Sequence, residues 1–248
     1  MPSDLLLRSI AGKKQRLQEL RPLSPEALAR LEHYYDIELT YSSNAIEGNT
    51  LSPVETTLVI EQGVTIGGKP LKDHLEALDH YDAIRYVRQL AGQDTPLTEA
   101  DVRSLHSLVV RRSRPDIAGR YADVARYVRT ETGRHMFPTP AEVPARMSDF
   151  GAWLRAATAS PEAAFAAHLM LVDIHPFNDG NGRTARLLMN LLLIRCGYPP
   201  IAIRPEDRAA YVAALQEAQA GGPAETFDGL FYARLDDTLS EYLSALEP

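Results

Sequence analysis

The chain predicts an all-α fold interrupted by one short β-hairpin. Three observations carry that expectation. Apolar residues recur at helical spacing through most of the sequence, as in Leu71, Leu75, Leu78, Tyr81, Ile84 and Val87, which places them on one helix face. Helix-opening signals recur too. Ser24-Pro25-Glu26, Ser52-Pro53-Val54-Glu55 and Ser160-Pro161-Glu162 each join a capping hydroxyl to a proline and a first-turn acid. Across residues 118–140 the helical period fades. There Val124, Tyr127 and Val128, then Thr132-Gly133, then Met136-Phe137 before Pro138 read as strand, turn and strand.

Taken in order, residues 5–20 form a basic amphipathic helix with Lys13, Lys14 and Arg16 on a solvated face. The helix opened by Ser24 runs through Leu31, Tyr35, Ile37 and Leu39 toward Ala45, where Gly48 and Asn49 tolerate the left-handed conformation that ends helices. Glu47, in that last turn, opposes the helix dipole. Chemistry leaves two readings of it, a solvated surface position or a carboxylate with a partner elsewhere. The Ser52 capping box opens a helix to Gln62-Gly63, and Gly67-Gly68 suggests a small hairpin across residues 64–70. Helices follow over residues 71–90 and after Thr98, with Val102, Leu105, Leu108 and Val109 inward and His106 a packing or surface histidine. Arg111-Arg112-Ser113-Arg114 reads as a solvated loop. Val143, Met147, Phe150 and Leu154 mark another core-facing helix. The helix after Ser160 ends before Pro176, because a proline disfavours helical conformation in the residue preceding it. His168 on that helix reads as a buried, hydrogen-bonded histidine. Apolar residues 183–196 form a helix stopped by Gly197, Pro199 and Pro200. Arg204-Pro205-Glu206-Asp207 opens the next, with Tyr211 and Leu215 inward, and residues 227–246 make the last.

The composition bounds the function. The chain has 248 residues, 45% hydrophobic and 24% charged, ordinary globular usage for one large domain or two small ones. Its net charge of −7, from 26 basic and 33 acidic residues, argues against a nucleic-acid-binding surface. The single Cys196 has no internal disulfide partner and reads as a core thiol. No apolar run is long enough to span a membrane and Met1-Pro2-Ser3-Asp4 does not resemble a signal peptide, so the expected compartment is the cytoplasm.

The chemistry concentrates in residues 175–186, His-Pro-Phe-Asn-Asp-Gly-Asn-Gly-Arg-Thr-Ala-Arg. The amides of Gly180, Asn181 and Gly182 open a helix, where unpaired N–H groups and the helix dipole favour an anion. Arg183 and Arg186 lie three apart on one face and can fork onto phosphate oxygens. Asp179 suits a magnesium ion bridging those phosphates. His175 is the one side chain here that accepts a proton near neutral pH without a large pKa shift. A Walker loop is excluded, because no Lys-Ser/Thr follows the glycines. A dinucleotide fingerprint fits Gly180, Gly182 and Ala185 but lacks a strand entering the turn directly. A plain capped helix with solvated arginines would not bring six complementary positions together.

The pattern H-P-F-x-D-G-N-G-R-x-x-R resembles the signature of the Fic family, and every position of it is present. The resemblance implies a helical Fido-fold core that transfers AMP from ATP, with Mg²⁺, to a Ser, Thr or Tyr hydroxyl of a protein. It makes His175 the base and Asp179 the metal ligand. Gly180, Asn181 (side chain included) and Gly182 would stabilise developing charge, and Arg183 and Arg186 would hold pyrophosphate. Ser43, Glu47 and Gly48 match the family's inhibitory motif, Ser/Thr-x-x-x-Glu-Gly/Asn, in the class whose inhibitory helix precedes the core in the same chain. Glu47 would then pair with Arg186, an attraction of about 4 kcal/mol before desolvation. The hairpin, about residues 124–138, resembles the flap that lays a target segment across the site by strand pairing. Thr132, Gly133, Arg134 and His135 would form its tip beside the nucleotide, although an ordinary surface hairpin stays open. Family members often carry Gly-x-Tyr-Arg just upstream, whereas Gly119-Arg120-Tyr121 is followed by Ala122. Tyr211 is a core residue or the family's tyrosine near adenine, and Gln219 stands where the family has asparagine. The implied organisation is N-terminal helices over residues 1–62 and a Fic core over 63–248. Implied partners are a protein substrate, the chain itself as a target, and a second copy in a homodimer. Two other functions fit the same residues: removal of AMP with Glu47 positioning water, and a non-catalytic nucleotide sensor.

Overall fold

The structure, a computed structural model, describes residues 2–20, 22–130 and 133–246. The helices are α1 (Asp4–Glu19), α2 (Pro25–Ile46), α3 (Pro53–Gln62), α4 (Leu71–Ala91), α5 (Glu99–Val109), α6 (Val143–Ala156), α7 (Pro161–Ile174), α8 (Asn181–Arg195), α9 (Arg208–Gln219) and α10 (Glu225–Leu246). Between α5 and α6 lies an antiparallel hairpin of β1 (Tyr127–Thr130) and β2 (Gly133–Met136), in which Tyr127 faces Met136 and Val128 faces His135.

The helix starts follow the sequence signals. Ser24, Ser52, Thr98 and Ser160 each accept a hydrogen bond from an amide of the first turn. At Ser52–Glu55 and Thr98–Asp101 the bond is reciprocated by the acid, which satisfies two otherwise orphaned N–H groups.

The core is organised around α8. Every residue from Arg183 to Leu193 is buried, the mark of a helix enclosed on all sides. The helices α7, α4 and α5 pack on it, and α10 lies against α7, α9 and α1. One buried cluster joins Ile10, Leu17, Tyr35, Leu39 and Ile46 of α1 and α2 to Leu187, Leu188 and Leu191 of α8 and to Phe165, Phe227 and Phe231. Truncating such a phenylalanine to alanine removes about 3–5 kcal/mol.

Four local expectations change. In the first half of α4 the buried face carries Asp73, His74, Glu76 and His80, while Leu71 of the expected inner stripe is 65% exposed, because these polar groups are drawn inward by partners on neighbouring segments. Residues 64–70 form a turn rather than a hairpin. His74 gathers it, accepting from the Ile66 amide (2.8 Å) through Nε2 and contacting the Pro70 carbonyl (2.9 Å) through Nδ1. Lys13 and Lys14 are half-buried. Lys13 pairs with Asp236 at 2.7 Å and Lys14 covers the Tyr198 ring at 4.1 Å. In the basic loop, the buried Asp79 carboxylate accepts both the Arg112 and Ser113 amides (2.9 Å each), so that segment is anchored to α4.

Candidate active site

The connection from α7 to α8 shapes the site. His175 caps α7 in the left-handed region, φ 49° and ψ 55°, the one non-glycine with positive φ among the described residues. A residue held there costs on the order of 1–3 kcal/mol unless its surroundings determine it. Its amide donates to Leu171 (2.9 Å), its carbonyl accepts from Arg126 Nη1 (2.6 Å), and its ring stacks on Phe137 at 3.9 Å and 10°. Nδ1 lies 3.3 Å from the Val172 carbonyl. A carbonyl only accepts, so this contact assigns the proton to Nδ1 and leaves the Nε2 lone pair free. Burial pushes the imidazole pKa down from 6.5 to about 4, while the Val172 contact and the carboxylates of Glu47 and Asp179 act in the opposite direction. The ring is therefore neutral at neutral pH.

Beyond His175 the loop is tied to its own neighbours. The Asn181 side chain accepts from the Phe177 amide (2.9 Å) and donates to the Phe177 carbonyl (2.8 Å). Both ends of its amide thus take part in shaping the loop. The fully buried His106 stacks on Phe177 at 3.7 Å. Its Nδ1 accepts from the Gly119 amide (3.0 Å), so Nε2 carries the proton and donates to the Asp179 carbonyl (3.0 Å). Burial holds His106 neutral, its pKa lowered to about 4.

Gly180 caps α8 with φ 77° and no side-chain bond, so the first amides of α8 point outward without partners from a cap. A Cβ on Gly182 would lie 2.5 Å from Glu47 Oε1. The Glu47 carboxylate thus rests against the first turn of α8, the position an anion would take.

Arg186 connects the two. It is 4% exposed. Its Nε donates to Ser43 Oγ (3.0 Å), Nη2 to the Ser43 carbonyl (2.9 Å) and to Glu47 Oε1 (2.8 Å), and Nη1 to Tyr211 Oη (3.4 Å). Glu47 itself caps α2, and Gly48 follows with φ 93°. The dipole misfit noted at Glu47 is answered by this ion pair. Burial raises the Glu47 pKa, but Arg186 outweighs it and the carboxyl titrates below its ordinary value.

Arg183 turns elsewhere. It is buried between Glu76 of α4 (3.1 Å) and Asp179 (3.3 Å). The two arginines therefore leave α8 toward different acids. Asp179 Oδ1 also accepts from the Gly180 amide (2.6 Å), and Oδ2 has no partner among the described residues. Tyr211 is 2% exposed, with its hydroxyl between Arg186 and His168 Nε2 (3.0 Å). It supports Arg186 from behind, as the core reading of Tyr211 expects. Gln219 ends α9 half-buried with no side-chain partner among the described residues. Gln216, three positions earlier, reaches the flap carbonyl of Arg129 (3.4 Å).

In the flap, Thr132 lies outside the described residues. Gly133 opens β2. Arg134 and His135 lie within the strand, opposite Arg129 and Val128, rather than in the turn. Arg134 covers the Tyr127 ring at 4.5 Å, and His135 meets Phe137 edge-on and Asp173 at 4.0 Å. Sequence reasoning missed Arg126, Phe137, Glu76 and the loop-bracing role of His106. Their partners lie far off in sequence, and no local pattern marks them.

Comparison with known proteins agrees with this architecture. A Fic/DOC family model matches residues 96–193. A Fic domain containing signaling protein from Bacteroides thetaiotaomicron superposes with TM-score 0.84 at 32% identity, covering 96% of this chain and 97% of that one. Fic-1 from C. elegans gives 0.83 at 32% identity, covering 97% and 71%. The Protein adenylyltransferase Fic of Nematostella vectensis is 34% identical over 241 residues, 86% of this chain and 55% of the relative. That of Aedes aegypti is 37% identical over 200 residues, 79% and 39%. The chain thus spans about half or less of the length of these curated relatives. On the sequence likeness and the near-complete overlap with the Bacteroides structure, the chain belongs to the Fic/DOC family.

Proposed function

We propose that this chain is a protein adenylyltransferase, moving AMP from ATP to a protein hydroxyl and restrained by its own Glu47. The names of its relatives support the reaction class. The observation that carries the reading is a neutral imidazole with free Nε2 beside a helix N-terminus whose anion position holds the chain's own carboxylate.

In the mechanism, Nε2 of His175 takes the proton of the target hydroxyl as its oxygen bonds to the α-phosphorus. The bond from that phosphorus to the bridging oxygen breaks, and pyrophosphate leaves. The amides at the start of α8 face the phosphates and balance their charge without reorganising. Arg186, freed from Glu47, grips the terminal phosphate. Magnesium fits the donor set. No cluster of three or more ligating side chains exists among the described residues, but a single carboxylate with an unpartnered oxygen, Asp179 Oδ2, is what an ion held mainly by phosphates and water requires. Bound there, Mg²⁺ would neutralise charge on the leaving phosphates.

Glu47 would act by misplacing the nucleotide. With Arg186 engaged and the first turn of α8 covered, ATP binds off-line from the hydroxyl, and catalysis by positioning fails. The test uses ATP labelled in the α-phosphate, with Mg²⁺, on the chain itself and on a lysate. Strong labelling by Glu47→Gly, weak labelling by the parent and none by Glu47→Gly with His175→Ala is the expected pattern. An absence of label in every variant overturns the transferase reading.

A second reading is favoured by one detail. Glu47 keeps 39% of its side chain exposed and bonds through Oε1 alone, so Oε2 can orient a water for hydrolysis of an AMP–protein bond. Release of AMP from a pre-modified target, lost in Glu47→Gly, would distinguish it.

A further inference from the structure

The base of the flap and His175 are in direct contact. Arg126 immediately precedes β1 and Phe137 immediately follows β2, and the Phe137 amide donates to the Arg126 carbonyl (3.1 Å), extending the ladder by one pair. Both members reach His175. The Arg126 guanidinium donates to the His175 carbonyl (Nη1, 2.6 Å) and to the Pro138 carbonyl (Nη2, 2.6 Å), while the Phe137 ring stacks on the imidazole. Arg126 is 8% exposed and has no carboxylate partner among the described residues. Burying a guanidinium without a counter-ion is costly, yet its forked donors are directed at two main-chain carbonyls, one of them on the reactive histidine.

Three constraints meet on His175: a left-handed backbone closed by Arg126, a ring plane set by Phe137, and a tautomer set by the Val172 carbonyl. Each bears on where Nε2 points or on whether it carries the proton. We propose that Arg126 and Phe137 are positioning residues, through which the flap base fixes the backbone and the ring of His175. The inference rests on His175 being the base. It assigns the flap a role in the chemistry distinct from holding a target strand.

The experiment uses the full chain labelled with ¹⁵N in its histidines, as parent, Arg126→Gln and Phe137→Leu, each also carrying Glu47→Gly for kinetics. Long-range ¹⁵N–¹H spectra of the imidazoles report the tautomer of His175, assigned by its loss in His175→Ala. The parent should show a single Nδ1–H form. Both variants should show mixed or exchange-broadened His175 nitrogens. With melting temperatures held close to the parent, kcat should fall by ~10²-fold in Arg126→Gln and ~10-fold in Phe137→Leu at unchanged KM for ATP, as small misplacements of a reacting group do. An unaltered His175 spectrum with kcat within twofold of the parent in both variants overturns the proposal. Phe137→Leu keeps apolar bulk and every Arg126 bond, so it decides the matter if Arg126→Gln does not fold. Should the Glu47→Gly parent transfer no AMP, the functional reading fails, and the nitrogen spectra still test the clamp.

Discussion

The loop carrying the motif and the flap beside it are held in opposite ways. Across residues 175–181 the backbone is braced by internal contacts: Asn181 closes on Phe177, His106 holds Asp179, and Arg126 holds His175. The flap is two strands of four residues, with Tyr127 45% exposed and Met136 58% exposed. A two-stranded sheet leaves an unpaired backbone edge on each strand. The contrast separates two demands. On the proposed function, proton and phosphoryl transfer would need groups fixed to within a fraction of an ångström, whereas recognition of varied targets by backbone pairing would need an edge left open.

That contrast can be broken at graded strength. His175→Ala in the Glu47→Gly background should reduce AMP transfer by ~10²–10⁴-fold, the usual weight of a general base, with the melting temperature little changed. Retained transfer would mean that the fixed loop does not hold the base. Next comes acid. His80 and His168, with pKa lowered to about 3, and His106 and His175, lowered to about 4, are all held neutral chiefly by burial. Their folded pKa lies below the ordinary 6.5, so the unfolded chain binds more protons as pH falls. Stability is intact above pH 6.5 and declines from there toward pH 4, by up to about 1.4 kcal/mol per pH unit for each histidine. Urea midpoints at pH 7, 6 and 5 should drop steadily, and a flat series would refute the neutral assignments.

Smaller effects sharpen the boundary between the two regions. His106→Leu keeps bulk but leaves the Gly119 amide and the Asp179 carbonyl unpaired, a loss of about 1–3 kcal/mol for each group, readable by urea denaturation. Arg134→Ala, on the exposed flap, loses a cation–π contact of about 0.5–1 kcal/mol at most. Its melting temperature should hardly move, and a large drop would mean that the flap is braced like the loop.

Much of this was legible in the sequence for one reason: helices announce themselves locally. Ser52-Pro53-Val54-Glu55 and Ser160-Pro161-Glu162 carry their caps within four residues, whereas the stripe from Leu71 to Val87 marks the buried face of α4 only at Ile84 and Val87. The motif from His175 to Arg186 is equally local. What escaped depends on approach through space. Arg126 meets His175 from 49 residues away, and His106 meets Asp179 from 73. The turn alone shows Asn181 with a free amide, and the carbonyl and amide of Phe177 that bond it emerge only when the loop closes. Tyr211 was open to two readings because its face on α9 depends on where His168 and Arg186 lie. Residues 64–70 had two glycines but no room for strands once His74 drew the turn together.

The contact of Glu47 with α8 has a further consequence. A carboxylate built into the chain does not dilute. Its effective concentration at the start of α8 is set by the geometry of one helix end, on the scale of millimolar or above for tethered groups, and on the proposed function every anion that came to those amides would compete with it. The strength of that competition depends on how well the last turn of α2 is anchored, where Arg208 of α9 donates to the Ile46 carbonyl at 2.8 Å. On the same proposal, a shift of that one anchor would rescale the affinity for every phosphate ligand together, without altering any residue assigned to the nucleotide.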